Sequence, residues 1–151
     1  YNETGLITKQ ARELGIEQPI LGGDGFADST FITLAGDAAA TNVYYVSGYS
    51  AKALATDTTT KFIAAYQAKY KSEPSMFDAL SYDAVYMVKQ AAEDTKAKTS
   101  VAVKDGLAKL KNFKGATGEI TVDKDHNPVK EAVVIKLENG KETSATLVKP
   151  N

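Results

Sequence analysis

The residues best suited to chemistry in this chain lie at Gly22-Gly23-Asp24-Gly25, directly after the apolar pair Ile20-Leu21. One carboxylate stands among glycines. Glycine lets the backbone take unusual φ values and lets a ligand come close. Pro19-Ile20-Leu21 reads as a short buried strand running into this loop. In α/β proteins, small molecules bind in the crevice beyond the carboxyl ends of strands. A lone carboxylate there suits a cationic group such as a primary amine. It suits a phosphate badly, because the loop holds no Lys or Arg. The loop also fits an ordinary turn in which Asp24 bonds its own backbone. The residues of the loop alone leave both readings open.

Other candidate chemistry is weaker. His126 is the only histidine and there is no cysteine, so no zinc set can form. Asp123-Lys124-Asp125-His126-Asn127-Pro128 resembles the opening of an EF-hand loop. It has Pro128 where the sixth position needs Gly and Val134 where the twelfth needs Glu, so a polar turn between strands with a solvated His126 is expected. Ser81-Tyr82-Asp83 has no partner base and no oxyanion signature, and it reads as a helix face whose Tyr82 packs. Lys104, Lys109, Lys111 and Lys114 read as a solvated face. No nucleophile, base or metal constellation emerges, so neither an enzyme nor a cofactor is expected.

The elements that must position Asp24 follow from periodicity. Glu3 to Leu14 reads as an amphipathic helix with Leu6, Ile7, Gln10, Ala11 and Leu14 near one stripe, stopped by Gly15. Helix, turn, strand and loop form half of a βαβ unit. Only Tyr1 and Asn2 precede the helix, so the chain is expected to start inside a larger protein. Asp28 or Ser29 can cap a short helix through Leu34. Asn42 to Ser47 suits a strand, and residues 48–57 read as a connection. Helices are predicted from about Thr58 to Lys71, Phe77 to Asp94 and Ser100 to Phe113. Phe62, Ile63, Tyr66 and Tyr70 would face the core from the first of these, and Leu80, Ala84, Val85, Val88 and Ala91-Ala92 from the second. After Gly115 the period changes to two, giving strands at Glu119–Val122, Ala132–Glu138 and Glu142–Val148. Asn139-Gly140 signals a two-residue hairpin turn.

Composition sets the class. Hydrophobic residues make up 43% of the 151 positions and charged residues 25%, with a net charge of −1. These are values of an ordinary globular protein. The balanced charge argues against nucleic acid and anionic membrane as partners. No apolar run approaches the ~20 residues that span a bilayer.

An ordered set of motifs then carries a resemblance. Tyr1-Asn2-Glu3, Gly5-Leu6-Ile7, Lys9-Gln10-Ala11-Arg12-Glu13-Leu14-Gly15-Ile16 and Pro19 to Phe26 come first. Leu34 to Ala39 follows, then Phe62, Tyr66 and Tyr70 with Glu73-Pro74. Ser81 to Val85 comes next, and the last motif is Gly115, Gly118, Asp123 and Asn127 to Lys130. Over nearly the whole chain this resembles the branched-chain amino-acid (Leu/Ile/Val) binding proteins of ABC importers, in the type I periplasmic-binding-protein family.

The resemblance implies an α/β fold with Rossmann-like βα units, a C-terminal β-hairpin and parts of two lobes. Residues 1–47 would belong to the second lobe, 48–57 to a crossover and 58–113 to helices returning to the first lobe. Residues 114–151 would be C-terminal strands of the second lobe. A fragment holding parts of both lobes is expected to form a swapped oligomer or to bind its missing N-terminal part. The function implied is extracytoplasmic, in the periplasm or on a cell-surface lipoprotein. Leucine, isoleucine or valine would be bound between the lobes and delivered to a membrane permease. A sensor domain of the same fold for another small amine or amide is the alternative. Asp24 would meet the ligand ammonium, where many relatives carry the longer Glu. Phe77 would wall the aliphatic pocket, and Tyr1 matches one of a family tyrosine pair. Phe26 would close over the ligand or pack beneath the loop.

Overall fold

The computed structural model describes residues 1–54 and 56–150 and divides them into two compact units. One comprises Tyr1–Ala53 with Ala132–Val148, the other Leu54–Glu131 with the C-terminal residues.

The first unit starts with helix α1 (Asn2–Glu13), strand β1 (Ile20–Gly22) and a 3-10 turn (Asp24–Phe26). Helix α2 (Ser29–Ala35) and strand β2 (Val43–Ser47) follow, and β6 (Ala132–Glu138) and β7 (Lys141–Val148) complete the unit. Its sheet runs β1-β2-β6-β7. β1 is parallel to β2, and the β2–β6 and β6–β7 pairs are antiparallel. Phe31, Ala35, Ala40, Val43, Val133, Ile135 and Leu137 form the core. The hairpin between β6 and β7 turns at Asn139-Gly140, with φ of 50° and 68°, the left-handed pair that the turn requires.

Local signals are read correctly here. Gly15 N–H donates to Arg12 O and Ile16 N–H to Ala11 O, the paired bonds of a Schellman motif. Arg12 donates to the carbonyls of Ile16, Gln18 and Thr41, tying the α1–β1 link down.

Facing is another matter. The stripe expected to be buried on α1 is largely exposed, with Ile7 at 64% and Leu14 at 80%, whereas Gly5 and Thr8 are buried. The cause is close helix approach: a Cβ on Gly5 would stand 2.9 Å from the Leu34 Cβ. β1 is buried on one face only, since Ile20 packs on the core while Leu21 is 77% exposed.

The second unit holds helices α3 (Asp57–Tyr70), α4 (Met76–Asp94) and α5 (Ser100–Leu107) with a small antiparallel sheet. Its strands are β3 (Phe113–Gly115), β4 (Gly118–Val122) and β5 (Pro128–Val129). Each helix starts at a hydroxyl cap: Thr56, Ser75 and Thr99. Ser75 and Asp78 form a full capping box.

α5 ends at Leu107, short of the predicted Phe113. Leu110 and Phe113 instead join Ile120 and Val122 in a core under the small sheet. α4 turns Met76, Ala79, Asp83 and Ala91 inward and leaves Val85 and Val88 exposed. On α3, Phe62 is buried but Tyr70 is 56% exposed, its ring against Tyr66. Residues 114–131, expected among the C-terminal strands, fall in this unit with the helices. Between β4 and β5, Asp123 Oδ1 accepts from the N–H groups of Asp125 and Asn127, and His126 is exposed.

Asp83 explains the grouping. It is 1% exposed and accepts from Ala116 N (2.6 Å), Thr117 N (2.8 Å) and Thr117 Oγ1 (2.7 Å). Thr59 Oγ1 donates to Ala116 O at 2.9 Å. The β3–β4 turn is thus held by α3 and α4 together. Asp83→Ala would strand two buried N–H groups, at roughly 1–3 kcal/mol each. Urea unfolding should show a loss of roughly 2–5 kcal/mol, and a loss below ~0.5 kcal/mol would refute this anchoring role.

Candidate functional site

Parallel pairing places the carboxyl ends of β1 and β2 side by side, with Gly22 opposite Tyr45. Two loops leave from there. After β2, Ser47 Oγ donates to Tyr49 O at 2.8 Å and Ser50 Oγ to Glu142 Oε1 at 2.6 Å. Lys52 donates to Glu142 O. This loop is therefore pinned to the sheet.

After β1 comes the Asp24 loop, built around Phe26. The Phe26 ring lies 4.8 Å from that of Phe31 and 6.4 Å from that of Tyr45 by centroids. It also lies over Gly22, where any Cβ would overlap it. Of the two sequence readings of Phe26, the geometry matches packing beneath the loop. Burial, and then the Glu142 carboxylate, push the Tyr45 phenol up to about 12, so this ring is neutral wherever the protein works.

Asp24 itself is exposed at the start of the 3-10 turn. Its main-chain oxygen accepts from Ala27 N at 2.9 Å. Among the described residues its carboxylate takes no hydrogen bond and no ion pair, so the turn reading, in which Asp24 bonds its own backbone, is not what the loop does. The self-capping carboxylate is instead Asp28, whose Oδ1 accepts from Thr30 N at 2.8 Å and starts α2.

The remaining sequence candidates lie elsewhere. Tyr1 precedes α1, and its carbonyl accepts from Gly5 N at 3.0 Å. Phe77, in the second unit, is 40% exposed in the first turn of α4, while its neighbour Met76 takes the core position. The second unit also contains a cleft of about 800 Å³ lined by Leu54, Thr56, Lys114, Glu119 and Lys130 among others. Both charge signs line it, and Lys114 is paired with Glu119. Among the described residues no group of three or more His, Cys, Asp and Glu could hold a metal ion, and no helix is long and apolar enough to cross a membrane.

The family model for periplasmic binding proteins matches residues 2–142. The chain belongs to the periplasmic binding protein family. Solved structures agree. This binding-protein chain is 47% identical to the branched-chain amino acid transporter substrate binding protein LivJ from Streptococcus pneumoniae, solved with isoleucine, with a TM-score of 0.92. It is 32% identical to the leucine binding protein LivK from Thermotoga maritima, with a TM-score of 0.91. A putative branched-chain amino acid ABC transporter protein from Rhodospirillum rubrum follows at 25% identity and a TM-score of 0.69. The LivJ match covers 99% of this chain and 42% of LivJ, and the LivK match covers 98% and 42%. The chain thus spans less than half the length of these relatives. No curated protein sequence matches it. The α/β architecture is that of the type I periplasmic binding proteins.

Asp28 gives the site a pH signature. Hydrogen bonds from Thr30, first its hydroxyl and then its N–H, hold the Asp28 carboxyl below its ordinary value. The folded value is therefore lower than the unfolded one of about 3.9. The cap's contribution is complete above that unfolded value and is lost as pH falls through the folded one. Asp28→Ala should cost about 1 kcal/mol at neutral pH and progressively less in acid. Urea unfolding of both proteins at neutral pH and near pH 2.5 checks this, and an equal difference at both would contradict it.

Proposed function

We propose that this chain forms part of the substrate-binding component of an ABC importer, an extracytoplasmic protein that takes a branched-chain amino acid between two lobes and hands it to the permease. The observation that carries the reading is the unpaired Asp24 carboxylate at the carboxyl end of β1. Family membership and the identity to LivJ supply its context.

An α-amino acid offers an ammonium, a carboxylate and a side chain. Asp24 accepts hydrogen bonds from the ammonium. Asp is shorter than Glu, so the amine approaches closely or a water bridges the gap. Phe77, with its exposed ring, walls the aliphatic side chain, and Tyr1 stands at the edge of the site. Phe26 supports the loop from below. In this reading residues 1–47 belong to the second lobe and 58–113 to the first, and 114–131 go with the helices whose core they share. Closure of the lobes on ligand is a hinge motion and needs no cofactor.

Asp24→Ala in the full-length binding protein should weaken leucine binding by roughly 100- to 1,000-fold, because the enclosed ammonium is left unpaired. Calorimetric titration with leucine, isoleucine, valine and glutamate provides the test. Tight binding of the three aliphatic ligands alone, lost in the variant, is the expected result. Unchanged leucine affinity in Asp24→Ala would remove the ammonium role, and no binding of any aliphatic ligand would remove the importer reading.

By itself the 151-residue chain leaves Ile7, Leu14, Leu21, Val85 and Val88 exposed. We infer that, in isolation, it associates into a swapped oligomer or binds the remainder of its protein. Light scattering on the purified chain should give a mass above that of one copy, and a clean monomer over the micromolar range would refute self-association.

A further inference from the structure

The Asp24 loop is held within itself by the two bonds of the 3-10 turn, Phe26 N–H to Gly23 O at 3.3 Å and Ala27 N–H to Asp24 O at 2.9 Å. Gly23 and Gly25 flank the carboxylate, and a Cβ built on either would meet nothing within 4 Å. No group packs over the Cβ side of either glycine, so these bonds hold the turn only within itself. A flexible loop pays an ordering cost when ligand binds, yet a carboxylate that recognises an ammonium has to be held in one place.

One side-chain contact ties the turn to α1. Thr4 Oγ1 lies 3.2 Å from Gly25 O, and also 3.1 Å from Tyr1 O. A hydroxyl has one proton to give. The proton is shared between the two carbonyls, and the Gly25 bond is the one that reaches from α1 to the turn. Among the described residues no other hydrogen bond joins α1 to the 3-10 turn. The donor stands on a firm base, because the next residue, Gly5, packs α1 against α2 at backbone distance: a Cβ there would be 3.0 Å from Phe31 O. α2 begins at the Asp28 cap immediately after the loop. The loop is thus fixed at both ends by β1 and α2, from below by Phe26, and at its centre by Thr4.

We propose that Thr4 is a positioning residue for ligand recognition: its hydroxyl, through Gly25 O, sets where the Asp24 carboxylate meets the ligand ammonium. The proposal rests on the ammonium role of Asp24 given above. Thr4 touches no ligand in this scheme. Its effect is confined to the part of the affinity that Asp24 supplies.

The test uses the full-length binding protein and two ligands, leucine and its deaminated analogue 4-methylpentanoate. The variants are Thr4→Val, Thr4→Ser, Asp24→Ala and the Thr4→Val/Asp24→Ala double variant. Thr4→Val keeps the shape of the side chain and removes the donor. It should weaken leucine binding about 5- to 30-fold, leave 4-methylpentanoate affinity and melting temperature unchanged, and add nothing in the Asp24→Ala background. Thr4→Ser should restore leucine affinity. Equal weakening of both ligands by Thr4→Val, the same factor with and without Asp24, or no effect on leucine would each overturn the proposal while leaving the Asp24 role intact. Unchanged leucine affinity in Asp24→Ala would overturn the Asp24 role and this proposal with it. If Thr4→Val lowers the melting temperature, the leucine-to-analogue ratio in Thr4→Ser decides: a wild-type ratio supports positioning, and a ratio as low as that of Thr4→Val refutes it.

Discussion

Strand β2 has neighbours on both sides, parallel β1 on one and antiparallel β6 on the other, and the geometry of the first unit follows from that. Val43 is fully buried at its start and Ser47 at its end. The parallel neighbour brings two carboxyl ends to one edge, where the Asp24 loop and the Ser47–Lys52 loop emerge. The antiparallel neighbour brings Val133, Ile135 and Leu137 under α2 and the Phe26–Phe31 ring pair. Without β6, β2 would be an open edge, and the core would lose Val133, Ile135 and Leu137.

Charge is used unevenly across the molecule. The pairs Lys89–Glu93, Lys104–Asp105 and Lys124–Asp125 lie in solvent, where such pairs contribute little. Asp83 and Asp24 are the informative carboxylates, and they are opposites. Asp83 is enclosed and takes three hydrogen bonds from the β3–β4 turn. Asp24 is exposed and takes none from the described residues. The first organises structure, and the second is available to a ligand.

What was legible in the sequence was local. The helix cap at Asp28, the stop at Gly15 and the turn at Asn139-Gly140 depend on residues within five positions of each other. Asp24 stood out because glycines isolate it. What was not legible depends on distant partners. The buried face of α1 is marked by Gly5 and Thr8, residues too small to register as a hydrophobic stripe, because α2 approaches so closely. Leu110 and Phe113 keep helical spacing after Leu107, which mimics a longer α5, yet they serve the small sheet. Asp83 sits in an ordinary helical pattern, and only the turn at Ala116-Thr117 explains its burial. Thr4 carried no signal, since its partner Gly25 lies 21 residues away. The ammonium proposal starts from residues of one loop, but the hydrogen bond that ties that loop to α1 has no counterpart in its local sequence.

The first unit is discontinuous: residues 54–131 intervene between β2 and β6. During synthesis α1, β1, α2 and β2 leave the ribosome long before the strand that completes their sheet. Closing a loop of this length costs on the order of 4 kcal/mol of chain entropy, which the β2–β6 ladder and the Val43–Leu137 core must offset. Until then β2 exposes an unpaired edge and an uncovered apolar face. The second unit can form its local helices meanwhile. The Asp24 loop thus rests on a sheet that is complete only once the C-terminal hairpin has returned to it.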